Sequence, residues 1–202
     1  TNPSSQFVSS LDPTGSKIGF TSYLNGNPDL YIANLKLGKI TRLSSRRGVN
    51  IGASWHPSAE NMILTLAPNG NSDIYKIHST TGRIIKRLTK SYGIDAAPAY
   101  SPDGSKIAYV SERSGGAQIY IMNADGSQNK RITFQGSQNT DPAWSPDGTR
   151  IAFVSQEKNF DIFTVGLNGT GLKRVTQDMG DNEDPSWSYD GNYIAFSSTR
   201  TG

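Results

Sequence analysis

Tyr100-Ser-Pro-Asp-Gly-Ser-Lys-Ile-Ala-Tyr-Val110 decides the fold, because it returns as Trp144-Ser-Pro-Asp-Gly-Thr-Arg-Ile-Ala-Phe-Val154 and as Trp187-Ser-Tyr-Asp-Gly-Asn-Tyr-Ile-Ala-Phe-Ser197. Two looser copies precede it, Leu11-Asp-Pro-Thr-Gly-Ser-Lys-Ile-Gly-Phe20 and Trp55-His-Pro-Ser-Ala-Glu-Asn-Met-Ile-Leu64. Taking Leu11, Trp55, Tyr100, Trp144 and Trp187 as equivalent gives steps of 44, 45, 44 and 43 residues. A fixed period of this size identifies a repeat architecture before any local propensity is weighed. In each clear copy Pro suits the first corner of a tight turn and Gly its left-handed position, so Ser-Pro-Asp-Gly joins two antiparallel strands.

Working outward, each repeat carries a second module of β-formers: Asp29-Leu-Tyr-Ile32, Asp73-Ile-Tyr-Lys76, Gln118-Ile-Tyr-Ile121 and Asp161-Ile-Phe-Thr164. A third module closes it: Thr41-Arg-Leu43, Lys86-Arg-Leu-Thr89, Lys130-Arg-Ile-Thr133 and Lys173-Arg-Val-Thr176. Glycine turns such as Ala124-Asp-Gly126 separate the second module from the third. The unit is therefore a meander of four short strands. Stretches such as Ile107-Ala-Tyr-Val110 are apolar on both faces, so each sheet must be covered on both sides. Four-stranded units of this length stacked face to face predict an all-β fold, a β-propeller; a linear solenoid is the alternative. The anchors Trp55, Tyr100, Trp144 and Trp187 are read as packing between blades. The blades are expected over about 6–44, 49–90, 93–134 and 137–177, with a half blade from 181 to 202, about 4.5 blades of a probable six. A six-bladed ring at this period needs about 260 residues, so the chain reads as a piece of a longer protein; a five-bladed ring would need two strands from the six residues before the first blade.

Composition narrows the function. The 202 residues are 34% hydrophobic with 21 Gly and 10 Pro, which describes a turn-rich chain, and no 18-residue apolar run predicts membrane insertion. Lys and Arg number 20 against 17 Asp and Glu and never cluster beyond pairs such as Arg46-Arg47, so no basic stripe points to nucleic acid. The absence of cysteine removes disulfides and thiolate chemistry and fits either redox compartment. Thr1 is not an initiator Met, and any signal peptide is expected to be already removed or left out.

In a propeller the Ser-Pro-Asp-Gly and Asp-Gly turns share one face. They are nearly identical between repeats and read as scaffold. The opposite face carries the variable connections Arg46-Arg-Gly-Val-Asn50, Ser91-Tyr-Gly-Ile-Asp95, Gln135-Gly-Ser-Gln-Asn-Thr140 and Asp178-Met-Gly-Asp-Asn-Glu183. Binding commonly sits on such loops, so a partner is expected at their inner ends: Val49, Asn50 and Gly52, then Ile94, Asp95 and Ala96, then Asn139, Thr140 and Asp141. The opposing reading is that Asn and Asp here cap turns on nearby backbone. Asp95, Asp141 and Asp184 recur at about one blade spacing, and a ring of carboxylates could hold calcium with backbone carbonyls; three solvated caps, or attraction of a basic partner segment, are the alternatives.

Leu-Thr, then Asp-Pro-Ala, then Trp-Ser-Pro-Asp-Gly-x-x-Ile-Ala-Phe, then Ile-Tyr-x-Met-Asn-x-Asp-Gly resembles the TolB-type (PD40) propeller repeat over nearly the whole chain, and Arg131-Ile-Thr-Phe-Gln-Gly-Ser-Gln-Asn-Thr-Asp141 is similar to a segment leading into a central blade of that family. The resemblance implies a six-bladed propeller preceded by a small α/β domain, in the periplasm, within the Tol-Pal envelope system that serves cell division and protein transport. It also implies a monomer whose propeller loops bind a peptidoglycan-associated lipoprotein, alongside other Tol proteins, with colicins competing. Blades one and two depart most, where Leu11-Asp-Pro-Thr and Trp55-His-Pro-Ser-Ala-Glu replace the usual turn. An enzyme is not expected: His56 and His78 fall in a turn and near a strand end, no Gly-x-Ser-x-Gly elbow is present, and nothing around Thr1 resembles an N-terminal nucleophile. The alternative is the substrate-gating propeller of an oligopeptidase-type serine hydrolase; a carbohydrate-processing propeller would be expected to carry a His-rich metal site.

Overall fold

The computed structural model describes residues 6–177 and 180–200, with side chains from residue 10 onward, so Thr1 and the segment 178–179 lie outside the described residues. Its regular structure is entirely β-strand. Two compact units divide after Tyr100.

In the first unit β1 (Gln6–Leu11), β2 (Lys17–Ser22), β3 (Asp29–Asn34) and β4 (Lys39–Ser44) form an antiparallel sheet in sequence order, and β5 (Asn50–Trp55), β6 (Asn61–Leu66), β7 (Asp73–His78) and β8 (Ile84–Arg87) form a second. β9 (Asp95–Tyr100) completes the unit. The core between the first two sheets joins Leu30 and Ile32 to Trp55, Met62, Leu64 and Ile77. Each large apolar side chain buried there contributes about 1.5–3 kcal/mol. The anchors do bridge neighbouring sheets. Trp55 Nε1 donates to the Ser10 carbonyl at 3.2 Å, and the Tyr100 hydroxyl donates to Asn61 Oδ1 at 2.7 Å.

The second unit holds a meander of β10 (Lys106–Ser111), β11 (Gln118–Asn123) and β12 (Lys130–Arg131), and a full sheet of β13 (Gln138–Trp144), β14 (Arg150–Gln156), β15 (Phe160–Gly166) and β16 (Lys173–Arg174). β17 (Asn182–Trp187) pairs with β18 (Ile194–Ser198). Ile107, Ala108 and Tyr109 on β10 and Ile151, Ala152 and Phe153 on β14 are essentially inaccessible, as strands apolar on both faces require. Trp187 Nε1 donates to the Ala143 carbonyl at 3.2 Å.

Turn chemistry follows the motif. Ser101 Oγ donates to Asp103 Oδ1 at 2.6 Å, and the Ser105 amide donates to the same oxygen at 3.0 Å; Asp147 and Asp190 repeat this arrangement with Thr149 and Asn192. These bonds hold the Asp103 carboxyl down to about 2 and lower Asp147 and Asp190 as well. Asp12 is also lowered: burial acts against ionisation, but donors from Thr14, Lys17 and Ser16 outweigh it.

The outer strands β8, β12 and β16 all end at the arginine, two residues before the threonine of the third module, for a side-chain reason seen also at Thr89. Thr133 Oγ1 accepts the Ile119 amide at 2.9 Å and Thr176 Oγ1 accepts the Ile162 amide at 2.9 Å. A hydroxyl thus takes the place of a ladder carbonyl, and the chain leaves the sheet early. The same threonines lie beside a buried side chain that begins each third strand. Asp73 receives Arg87 Nη2 at 2.5 Å, and Asp161 receives Arg174 Nη2 at 2.5 Å and the Thr176 hydroxyl at 2.6 Å. In blade one Asp29 receives Arg42 at 2.6 Å.

Arg87→Met leaves the Asp73 carboxylate, 1% exposed, without its cation and is expected to lower unfolding free energy by about 2–3 kcal/mol in urea titration. Because the folded pKa of Asp103 lies below its ordinary 3.8, the stability it adds is complete above 3.8 and is lost as pH falls toward about 2. The melting temperatures of wild type and Asp103→Asn are therefore expected to converge across that window.

Candidate functional site: the blade-leading loops

The variable loops all end in the same local geometry. Five residues before each anchor stands Asn50, Asp95, Asn139 or Asn182, and each is fully buried. Asn50 Oδ1 accepts the Ser44 hydroxyl at 2.7 Å and the Arg46 amide at 3.1 Å, while its Nδ2 donates to the Arg46 carbonyl at 2.7 Å. Asn139 Nδ2 donates to Gln118 Oε1 at 2.9 Å and to the Gln135 carbonyl at 2.7 Å. Asn182 Nδ2 reaches Asp161 Oδ1 at 3.2 Å. Asn139 and Asn182 thus close their loops from inside and tie them to the polar residue near the start of the preceding third strand, while Asn50 closes its loop on Ser44 and Arg46.

Two residues later the chain bulges. Gly52, Ala97, Asp141 and Asp184 have φ of 64°, 48°, 51° and 54°, and the pairing register shifts between Ile51 and Ser54, between Thr140 and Ala143, and between Glu183 and Ser186. An extra residue in the left-handed region breaks the strand alternation and turns its side chain away from the sheet. Gly and Asp suit that conformation; a Cβ at Gly52 would meet only ordinary contacts, so the tolerance for Ala and Asp at this position has a steric basis.

The sequence-predicted site therefore divides in two. Asn50, Asp95 and Asn139 lie inside, and the side chains of Asn50 and Asn139 bond the backbone of their own loops. Val49, Gly52, Ala96 and Thr140 are half-buried, and Ile94 and Asp141 are exposed. Thr140 Oγ1 donates to Asp141 Oδ2 at 3.0 Å. Protein mass around the Asp141 carboxyl raises its pKa despite its access to solvent; the Thr140 hydroxyl opposes this, and the nearby Asp184 charge adds to the rise. The expected three-carboxylate calcium site meets a register difference: Asp95 occupies the buried asparagine position, whereas Asp141 and Asp184 occupy the bulge. Among the described residues no three His, Asp or Glu side chains are grouped to hold a metal ion.

The histidines are held in local turns. His56 Nδ1 lies 2.9 Å from Ser58 Oγ, with its ring edge-on to Tyr100, and His78 Nδ1 accepts the Thr80 amide at 3.2 Å.

The TolB beta propeller domain family matches residues 4–160 and 138–202. This chain belongs to that family. A crystal structure of TolB from Acinetobacter baumannii superimposes with a TM-score of 0.85 at 30% identity, over 95% of this chain and 48% of that one. A TolB homolog of Chlorobium luteolum is 39% identical over 113 residues, and the Tol-Pal system protein TolB of Bordetella pertussis is 31% identical over 111. These matches take in 56% and 55% of this chain but 25% of each relative, so the chain spans about a quarter of the curated relatives it matches. In this TolB-family propeller the bulge position is the feature the repeat pattern hid, since Gly52, Ala97, Asp141 and Asp184 share no residue type. The signal that could have found it is the anchor spacing, which places all four three residues before Trp or Tyr.

The sign of the Asp141 shift gives a test. A raised folded pKa means that stability falls as pH rises from 3.8 through the folded value and stays reduced at neutral pH. Asp141→Asn removes the charge and keeps a side chain suited to the left-handed bulge, so its melting temperature is expected to exceed wild type at pH 7 and to match it at pH below 3.8.

Proposed function

We propose that this chain is part of a periplasmic, non-catalytic protein-binding scaffold of the Tol-Pal system, and that it binds a peptidoglycan-associated lipoprotein through its blade-leading loops. The observation that carries this reading is the division of those loops. The side chain at the buried position is Asn50, Asp95, Asn139 and Asn182 in blades two to five, while the neighbouring positions differ from blade to blade and remain accessible at Ile94, Thr140 and Asp141. A regular frame holding variable outward groups is the arrangement expected of a recognition surface. Family membership supports the scaffold assignment, and the relative in Bordetella pertussis is named a Tol-Pal system protein. The Asp141 and Asp184 pair adds local negative charge suited to a basic or amide-rich partner segment. No helix among the described residues is long and apolar enough to cross a membrane.

The test is retention of the lipoprotein from a Gram-negative envelope fraction on the immobilised full chain. Changing both Thr140 and Asp141 to Ala is expected to weaken retention about tenfold with an unchanged circular dichroism spectrum. Wild type retaining no lipoprotein would remove the partner assignment, and equal retention by the double variant would move the surface away from blade four.

A further inference from the structure

The repeat breaks in two residues at one place. In blades one, two and four a buried Asp within the first two residues of the third strand receives the outer-strand arginine: Asp29 with Arg42, Asp73 with Arg87 and Asp161 with Arg174. Blade three keeps the arginine, Arg131, but has Gln118 where the carboxylate would be. The Gln118 oxygen is already engaged, accepting the Thr133 hydroxyl and Asn139 Nδ2, each at 2.9 Å. Arg131 retains Nε to the Thr133 carbonyl at 2.5 Å and Nη1 to Ser114 Oγ at 3.2 Å. Among the described residues no carboxylate pairs with it, and the Nη2 edge that its counterparts give to Asp has no protein acceptor.

The second break lies beside the first. The position after the conserved hydroxyl is Ser45, Lys90 and Gln177 in blades one, two and four and Phe134 in blade three. Arg131 Cζ sits 5.0 Å from the Phe134 ring centroid, and the ring is 67% exposed. A Cβ on Gly169 would come within 3.4 Å of Phe134 Cε2, so bare turn backbone abuts the edge of the ring. A guanidinium stacked on an aromatic face keeps its outer N–H edge for a planar anion.

We propose that Arg131 and Phe134 form a docking point for a side-chain carboxylate of a partner polypeptide, with an apolar residue next to that carboxylate lying on the exposed ring. A lone carboxylate gains little at a solvent-exposed guanidinium. The exposed phenyl surface supplies the rest of the binding, and only a ligand with apolar groups beside its carboxylate can use both. The site lies outside the Thr140 and Asp141 surface and does not depend on it: loss of lipoprotein retention there leaves this proposal standing, and failure here leaves that one.

The experiment follows the Arg131 Nε–H signal of the full chain by NMR during titration with acetyl-Leu-Glu-Leu-amide, its Gln counterpart, and acetate. The Glu peptide is expected to shift the signal saturably and to bind about tenfold more tightly than the Gln peptide, with acetate weaker than the Glu peptide. Gln118→Asp rebuilds the internal pair of blades two and four, so it is expected to abolish the peptide response while the Arg131 Nε–H signal remains visible. Equal binding of the Glu and Gln peptides, or an undiminished response in Gln118→Asp, overturns the site. Acetate matching the Glu peptide overturns the polypeptide occupant.

Discussion

A buried polar side chain at the start of every third strand must find partners, because an unsatisfied charge or amide inside a sheet costs several kcal/mol. Asp29, Asp73, Gln118 and Asp161 are each 4% exposed or less. Their partners come from the outer strand, as Arg and Thr, and from the next blade's first strand, as Asn139 does for Gln118 and Asn182 for Asp161. At Gln118 and Asp161, satisfying one residue therefore links three stretches of chain: two strands of one sheet and the leading strand of the next. The apolar packing supplies most of the stability, but it is non-directional; the polar clasp sets where each connecting loop begins and ends.

The functional surface follows from that division of labour. Once the clasp asparagine is anchored inside, the loop before it is free to vary and the bulge after it turns one side chain outward. Asp141 shows the consequence in its ionisation, since the protein mass around its carboxyl raises its pKa and the charge of Asp184 adds to the rise. Where the clasp is altered, as at Gln118, a cation that elsewhere neutralises the frame becomes available at the surface.

Much of this was legible in the residues. The spacing of Leu11, Trp55, Tyr100, Trp144 and Trp187 carries the meander and its stacking, because four short strands apolar on both faces have few ways to be covered. The tight turn was equally plain, since Pro and Gly in Ser-Pro-Asp-Gly specify its corners, but the hydrogen bonds of its aspartate came only with the structure. The loop site was legible only as a region. Asn50, Asp95 and Asn139 look like loop polar residues in one dimension, and burial separates them from Thr140 and Asp141. Asp95 and Asp141 look equivalent because both precede Pro or Ala near an anchor, but Asp95 stands five residues before its anchor and Asp141 three, on the bulge. The early ends of β12 and β16 were not legible, because Thr133 and Thr176 have strong strand propensity and leave the ladder only when their hydroxyls bond across it.

Period and composition alone thus establish a propeller of four-stranded units, since local turn chemistry and two-faced hydrophobicity are written residue by residue. Which polar residues hold the frame and which face a partner was decided by tertiary structure. Asp, Asn and Arg serve either role with the same chemistry, and only the neighbours brought by folding determine whether their hydrogen bonds are spent inside the protein or left for another molecule.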